Sequence, residues 1–336
     1  VRVLLTGATG VVGAEVRRAI GDRATLHCVA RRPSAGVSAW DIGSGPVPDS
    51  LTGHWDIIIH AAAATRWTMT RQEAVEANVR PMGAVLALAD HDTHVVHVST
   101  AYVGTTDRQA VESDPEFDGY RNGYEWSKAL CERELLAVHS GPSTIIRPPL
   151  ILGRSDDGGI ERFSGPYTLM QALVSGLAAV VVGKPTGYAE IAPVDLVARA
   201  VADAALAPPQ DLTRVVTVAA GSGCMTLAPM VELLCAELNR IRASSGLTPI
   251  SVPPMVSLDS WRRFFLPLAE QHLSPMQNEA VRLLGMFESY TSMTAPFEPD
   301  YVVSAPEEVL VRSLRYWAER KPRLVSRTPR PWSLVG

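Results

Sequence analysis

The first thirteen residues, Val1-Arg2-Val3-Leu4-Leu5-Thr6-Gly7-Ala8-Thr9-Gly10-Val11-Val12-Gly13, limit what the chain can fold into more than any other stretch. The apolar run reads as a buried parallel strand. Three glycines follow at Gly7, Gly10 and Gly13, and Ala14 to Ile20 reads as a helix. Strand, glycine turn and helix make a crevice for a pyrophosphate. Small residues let the backbone come close, and the helix N-terminus offers free N–H groups and partial positive charge. Glycines also make ordinary turns; the strand before these and the helix after them give them their meaning.

Thr25–Ala30 reads as a second strand, ending in Arg31-Arg32-Pro33-Ser34. In a dinucleotide fold this strand end faces the adenosine ribose. An acid there would bond the ribose hydroxyls, whereas arginines suit a 2′-phosphate. Arg31 and Arg32 therefore point to NADP; the alternative is solvated loop charge. Ser38–Ile42 reads as a short strand in which Asp41 either accepts from the adenine amino group or caps a turn. Residues 43–53, rich in Gly, Pro and Ser, read as a surface loop.

Ile57–Ala63 is a further strand running into small residues, which would let a cofactor lie close. Arg71 to Ala89 has apolar residues at helical spacing, with Pro81 expected to kink the helix or mark a join. Val95–Thr100 is a strand ending in hydroxyls. His91, His94 and His97 are three apart but run from a loop into a strand. They would not share a face, so no metal site is expected. A helix is expected from near Tyr124 to Val138, and a strand over Ser143–Arg147, stopped by Pro148-Pro149. Strands alternating with helices give a doubly wound parallel sheet, with residues 1–152 as an NADP-binding domain.

Beyond Gly153 the pattern loosens. Helices are expected over Phe163–Leu177, from Pro193, and over Leu227–Ile241, with a strand near 215–219 that returns to the sheet. Pro253 to Tyr301 is rich in aromatics, Met and Pro. It reads either as the lining of an apolar substrate pocket or as the core of a small helical lobe. Residues 153–336 are expected to form a smaller, mostly helical substrate lobe, with the Pro/Arg-rich tail from Lys321 loosely packed.

Composition narrows the partners. A net charge of -4 implies no basic face for nucleic acid. No apolar stretch is long enough for a membrane span, and the first apolar run is too short for a signal peptide. The cysteines Cys28, Cys131, Cys224 and Cys235 show no C-x-x-C pairing and suit free thiols in a reducing cytoplasm.

Tyr124 and Lys128 stand one helical turn apart on one face. A phenol is a poor acid near neutrality, with a reference pKa of about 10; a neighbouring ammonium favours the phenolate. A hydroxyl from Thr100 is placed to hydrogen-bond a substrate oxygen. Together the three would protonate a carbonyl oxygen as hydride arrives. Tyr-x-x-x-Lys alone is common in helices; here it follows a nucleotide-binding start and a hydroxyl-ended strand, in the right order.

With these pieces in place, the chain resembles an extended short-chain dehydrogenase/reductase. The motifs are TGATGVVG at Thr6–Gly13, HAAA at His60–Ala63, EANVRP at Glu76–Pro81, VHVSTAYVG at Val96–Gly104, YEWSK at Tyr124–Lys128, IIRPP at Ile145–Pro149 and PVDLV at Pro193–Val197. HAAAATRW, EANVRP and VHVSTAYVG are similar to the branch of fatty acyl-CoA reductases and carrier-protein thioester reductases. The resemblance implies Thr100, Tyr124 and Lys128 as the catalytic group and a structural role for Asn78. It implies NADP contacts at Thr6, Gly7, Thr9, Gly10, Val11, Val12 and Gly13 of the turn. Further contacts would come from Arg31, Arg32, Asp41 and Ile42, from Ala61, Ala62 and Ala63, and from Lys128 and Pro148. The implied activity is NADPH-dependent reduction of a carbonyl, an acyl thioester or the aldehyde derived from it, presented as a small molecule or on a carrier. Two other readings stand beside it: a nucleotide-sugar epimerase or dehydratase that retains its cofactor, and a non-catalytic NADP-binding sensor.

Overall fold

A computed structural model describes residues 1–104 and 115–329. The chain opens with β1 (Arg2–Thr6), α1 (Val11–Ile20), β2 (Thr25–Ala30), β3 (Val37–Ala39) and β4 (Ile57–His60). Next come α2 (Arg71–Ala74), α3 (Arg80–Leu86), β5 (His94–Val98), α4 (Gly123–Val138) and β6 (Ser143–Arg147). Then follow β7 (Leu150–Leu152), α5 (Pro166–Ser175), β8 (Val181–Val182), β9 (Ile191–Pro193), α6 (Val194–Leu206), β10 (Thr213–Ala219) and α7 (Leu227–Ala243). The last elements are β11 (Met255–Val256), α8 (Leu258–Ser260), α9 (Leu266–His272), α10 (Pro275–Met286), α11 (Glu288–Thr291), β12 (Tyr301–Val302), α12 (Pro306–Arg320) and α13 (Pro322–Val325).

These elements form two compact units. The first comprises residues 1–149, 194–218 and 299–302. Its sheet has the strand order β12-β10-β6-β5-β4-β1-β2-β3. Neighbours from β10 to β3 pair parallel. The order reverses beside β1, so chain connections leave on both faces, as in a doubly wound Rossmann-like sheet. The central strands are buried on both faces and are accordingly near-continuous runs of Val, Leu and Ile. Met82 and Leu86 of α3 and Cys131 and Leu135 of α4 pack on Val95 and Ile145. α1 packs against α6.

Between α2 and α3 the helix widens into a five-residue π turn, Val75–Val79. Pro81 follows at the start of α3. It has no N–H to give, so the disruption expected at Pro81 falls in the turn just before it. The wide turn aims Asn78 inward. Its Nδ2 donates to the Ala64 carbonyl at 3.0 Å and to Ser127 Oγ at 2.8 Å, and its Oδ1 accepts from Ala64 N at 2.7 Å. The strand expected over Ser38–Ile42 is shorter: β3 ends at Ala39, and Asp41 lies in a turn whose carbonyl accepts from Ser44 and Gly45.

The second unit holds residues 150–193, 219–298 and 303–336. In it, β7 pairs parallel with β9 and β8 with β11. α7 packs on α12. The buried carboxylate of Glu190 accepts from Ala220 N at 2.9 Å and from Phe297 N at 3.2 Å, joining distant loops. The aromatics differ in burial, and several belong to the core of the unit. Trp261 packs with Val180, Val182, Ala269 and Val281 as core, and Phe265 lies against that cluster. Met170 is buried, and the hydroxyl of buried Tyr167 accepts from Gly153 N. Phe163 is half-buried, and Phe264 is 66% exposed. The tail differs from the loose packing expected of it. α13 follows Lys321, and Arg242 donates to the carbonyls of Val325 and Arg327, so the chain is held as far as that residue. Residues 330–336 lie outside the described part.

Candidate active site

β1 ends in a tight turn built by glycine. Gly7 adopts φ +69°, and a Cβ there would lie 2.7 Å from the backbone of Ala62. A Cβ on Gly13 would overlap the Gly7 carbonyl oxygen. Side chains are thus excluded on both sides, and the turn packs backbone to backbone against Ala61 and Ala62. Gly10 N donates to Gly7 O at 2.8 Å and opens α1. Among the described residues no side chain caps α1, and its first turn holds no acid. Its N–H groups and positive dipole end suit a phosphate, so the fold and the turn fit a dinucleotide.

The other expected cofactor positions fall into three groups. Thr9 is exposed and Val11 and Val12 are half-buried at the mouth of the turn, as are Ala61 and Ala62, with Ala63 exposed. Arg31 and Arg32 are exposed after β2, and neither makes a hydrogen bond or ion pair among the described residues. Asp41, beyond β3, is exposed as well. Thr6, Ile42 and Pro148, by contrast, are already engaged. Buried Thr6 accepts from Ala62 N at 3.3 Å and shares a 2.8 Å hydrogen bond with His60 Nδ1. The side chain of Ile42 belongs to the core with Leu4, Val29 and Trp40. The Pro148 carbonyl accepts from Ala101 N at 2.9 Å and from the Thr100 hydroxyl at 3.4 Å.

Thr100, Tyr124 and Lys128 come together beyond the end of β5. Asn122 caps α4, its side chain accepting from Glu125 N, which fixes where the helix begins and hence where Tyr124 sits. The Thr100 hydroxyl hydrogen-bonds the Tyr124 phenol. Lys128 is 2% exposed and its Nζ donates to the Val98 carbonyl at 2.6 Å. The effect expected of Lys128 on the phenol is not what the surroundings produce. Burial raises the Tyr124 phenol well above its ordinary value, and the Glu125 carboxylate raises it further. Only the bond from Thr100 works the other way. Burial also lowers the Lys128 ammonium, against the pull of the Cys131 and Glu132 side chains.

The floor of the site is polar in a way the motifs do not disclose. His60 and His97 face one another across β4 and β5, their rings stacked 5.5 Å apart. Burial, then the Lys128 charge, lowers His60 to about 3 and His97 well below its ordinary value. Both imidazoles are therefore neutral near pH 7. His94 points away to Thr144, at 2.9 Å, and His91 is exposed, so the three do not converge. Buried Ser99, Glu132 of α4 and half-buried Arg147 form a hydrogen-bonded network. The four-residue spacing Tyr124, Lys128, Glu132 marks the helix face alone; the partners Ser99 and Arg147 come from the fold.

A doubly wound sheet that opens on a glycine turn and a helix N-terminus defines a Rossmann-like chain suited to a dinucleotide. Comparison with known proteins is more specific. Residues 47–201 match the NAD-binding family model described as Male sterility protein. Fatty acyl-CoA reductase 1 of Gallus gallus is 29% identical over 46% of this chain and 36% of its own length. The chain thus spans about a third of that curated relative. The terminal R domain from the myxalamid PKS-NRPS biosynthetic pathway superposes with a TM-score of 0.72 at 17% identity, covering 97% of this chain and 92% of that one. MoeE5 in complex with UDP-glucose and NAD superposes at 0.58 and 17%, covering 96% of this chain and 100% of that one. At such identities the structural likeness is one of fold. The resemblance to fatty acyl-CoA reductases carried by the motifs is met again in the curated relatives; the solved structures share the fold.

Proposed function

We propose that the protein is an NADPH-dependent reductase of a carbonyl, acting on an acyl thioester or the aldehyde derived from it. The observation that carries this reading is the pairing of the buried Thr100 hydroxyl with the half-buried Tyr124 phenol, one helical turn from the buried Lys128 ammonium and in the same unit as the glycine turn. The turn and the α1 N-terminus would hold the pyrophosphate, and Arg31 and Arg32 the 2′-phosphate. The reduced nicotinamide, when bound, supplies the hydride. Thr100 orients the substrate oxygen. Tyr124 passes its proton to that oxygen as negative charge develops there. Burial keeps the phenol protonated until then, and an alkoxide is basic enough to take the proton from it. Lys128 stabilises the phenolate left behind, with the ammonium protons that Val98 does not use. Residues 153–336 are the proposed substrate lobe. Small-molecule or carrier-bound acyl groups are the proposed partners, with no role for nucleic acid. Among the described residues no helix is long and apolar enough to cross a membrane. The four free cysteines suit a reducing cytoplasm.

The test is NADPH consumption over a panel of acyl-CoA and acyl-carrier substrates, with analysis of the cofactor left on the protein. Turnover with release of NADP is expected. Retention of cofactor through each cycle would instead make it an epimerase or dehydratase, and binding without turnover a sensor.

A further inference from the structure

α4 carries Tyr124, Lys128 and Glu132 at four-residue intervals, on one face. The third has no part in the chemistry above. Glu132 is 6% exposed, and its carboxylate accepts three hydrogen bonds. They come from Ser99 Oγ at 2.5 Å, Arg147 Nε at 3.1 Å and Arg147 Nη2 at 2.6 Å. Ser99 immediately precedes Thr100 after β5. Arg147 closes β6 and immediately precedes Pro148, whose carbonyl accepts from the Thr100 hydroxyl. One carboxylate therefore joins the helix that carries Tyr124 and Lys128 to the two strand ends that fix Thr100.

Charge points the same way. The Lys128 ammonium is sealed from water and donates to Val98, a neutral acceptor. The titratable groups that act on it are His60 on β4, His97 on β5, and Cys131 and Glu132 on its own helix. The imidazoles are neutral, and burial pushes the Cys131 thiol up to about 12, so it too is uncharged. Glu132 alone in this set is negative, and it is shared with Arg147.

We propose that Glu132 is a positioning residue that sets the register of α4 against the ends of β5 and β6 and supplies the counter-charge to Lys128. The inference rests on the reading of Thr100, Tyr124 and Lys128 as the catalytic group. A buried ion pair with no such role would hold the fold alone, and removing one partner would cost stability without touching Lys128.

The chain has three lysines, Lys128, Lys184 and Lys321, so ε-15N-lysine labelling gives few ammonium signals to follow against pH. The Lys128 signal is identified by its loss in Lys128→Met. In Glu132→Gln, Lys128 should lose its proton roughly one pH unit lower than in the wild type. With an acyl substrate that is turned over, kcat should fall about tenfold or more, and KM should stay within about twofold. Ser99→Ala keeps the charge and removes one tie: the Lys128 titration should not move, while kcat falls several-fold. An unmoved Lys128 titration in folded Glu132→Gln overturns the proposal. So does a wild-type kcat in both variants. Should Glu132→Gln fail to fold, Arg147→Met frees the carboxylate for Lys128 and should raise its titration; no movement there overturns the proposal equally. Tyr124→Phe in the same assay keeps the two ideas apart. Full turnover by that variant ends the catalytic assignment, while the lysine titration still judges Glu132.

Discussion

At the turn between β1 and α1 the active parts are backbone: N–H groups, a helix dipole and the space left by missing side chains. At α4 they are side chains: a phenol, an ammonium, a threonine hydroxyl and the buried polar groups beneath them. Both regions lie in one unit, on neighbouring parts of one sheet. A backbone site needs only that nothing intrudes, so a short motif specifies it. A side-chain site must bury charge, and every buried polar group calls for a partner brought from elsewhere in the chain. The two should therefore fail differently.

The largest effect is expected at α4. Tyr124→Phe removes the proton donor and leaves the ring, so turnover should fall about 10²–10⁴-fold. NADPH affinity and melting temperature should stay close to wild type, because the glycine turn is untouched. Single-turnover kinetics with cofactor titration measures both. Near-normal turnover would remove Tyr124 from the chemistry, and a parallel loss of NADPH binding would show that the two regions are not separable.

The converse experiment is Gly13→Ala. The added Cβ must displace either α1 or the Gly7 carbonyl. Overpacking of this kind costs about 1–3 kcal/mol. NADPH should bind about tenfold or more weakly, and the melting temperature should drop, before any chemistry is altered. Gly223→Ala, where a Cβ meets open space, is the control and should change neither. Unchanged NADPH affinity in Gly13→Ala would mean that the turn is not where the pyrophosphate sits.

This contrast also sets what could be read from the sequence. The glycine turn, the alternation of strands and helices and the Tyr124–Lys128 spacing are local patterns, and each is present in the fold. Ser99, Glu132 and Arg147 meet from three elements spread over nearly fifty residues, and no local pattern pairs them. The stacking of His60 on His97 depends on the β4–β5 register, which only the folded sheet supplies. The expectation that Lys128 lowers the phenol failed for a related reason. Helical spacing is visible in the sequence, but the burial that raises the phenol is not, and Lys128 is not among the groups that act on it. Trp261 and Phe264 make the point in the second unit: three residues apart and both aromatic, one is core and the other 66% exposed.

A smaller effect should separate the two arginines from the turn they adjoin. Arg31 and Arg32 are exposed and support nothing else, so Arg31→Ala and Arg32→Ala should leave stability unchanged. A hydrogen bond to a charged group contributes about 1.5–3 kcal/mol. NADPH binding should therefore weaken by about tenfold, with NADH binding nearly constant, by isothermal titration of both cofactors. Equal losses for the two cofactors would remove the 2′-phosphate from the argument.

The smallest effect is a slope. His60, lowered to about 3, and His97, lowered well below its ordinary value, stay neutral in the fold as the pH falls. In the unfolded chain each takes up a proton near its ordinary value of 6.5. Above pH 6.5 neither state is protonated, and the pair adds no pH dependence. Below it the unfolded chain binds protons that the folded chain refuses, so stability falls with pH, over a window reaching down to about 3 for His60. One such group contributes at most about 1.4 kcal/mol per pH unit. His97→Phe keeps a ring in the stack and removes one titration. Between pH 6 and 5 its denaturant-derived stability should fall less steeply than the wild type's by about 1 kcal/mol per pH unit. Carboxylates add to the slope of both proteins and cancel in the difference. Gly13→Ala, at a turn with no titratable side chain of its own, should keep the wild-type slope at lower overall stability. Identical slopes in wild type and His97→Phe would show that His97 is protonated in the fold, and the floor beneath Lys128 would then carry charge of its own.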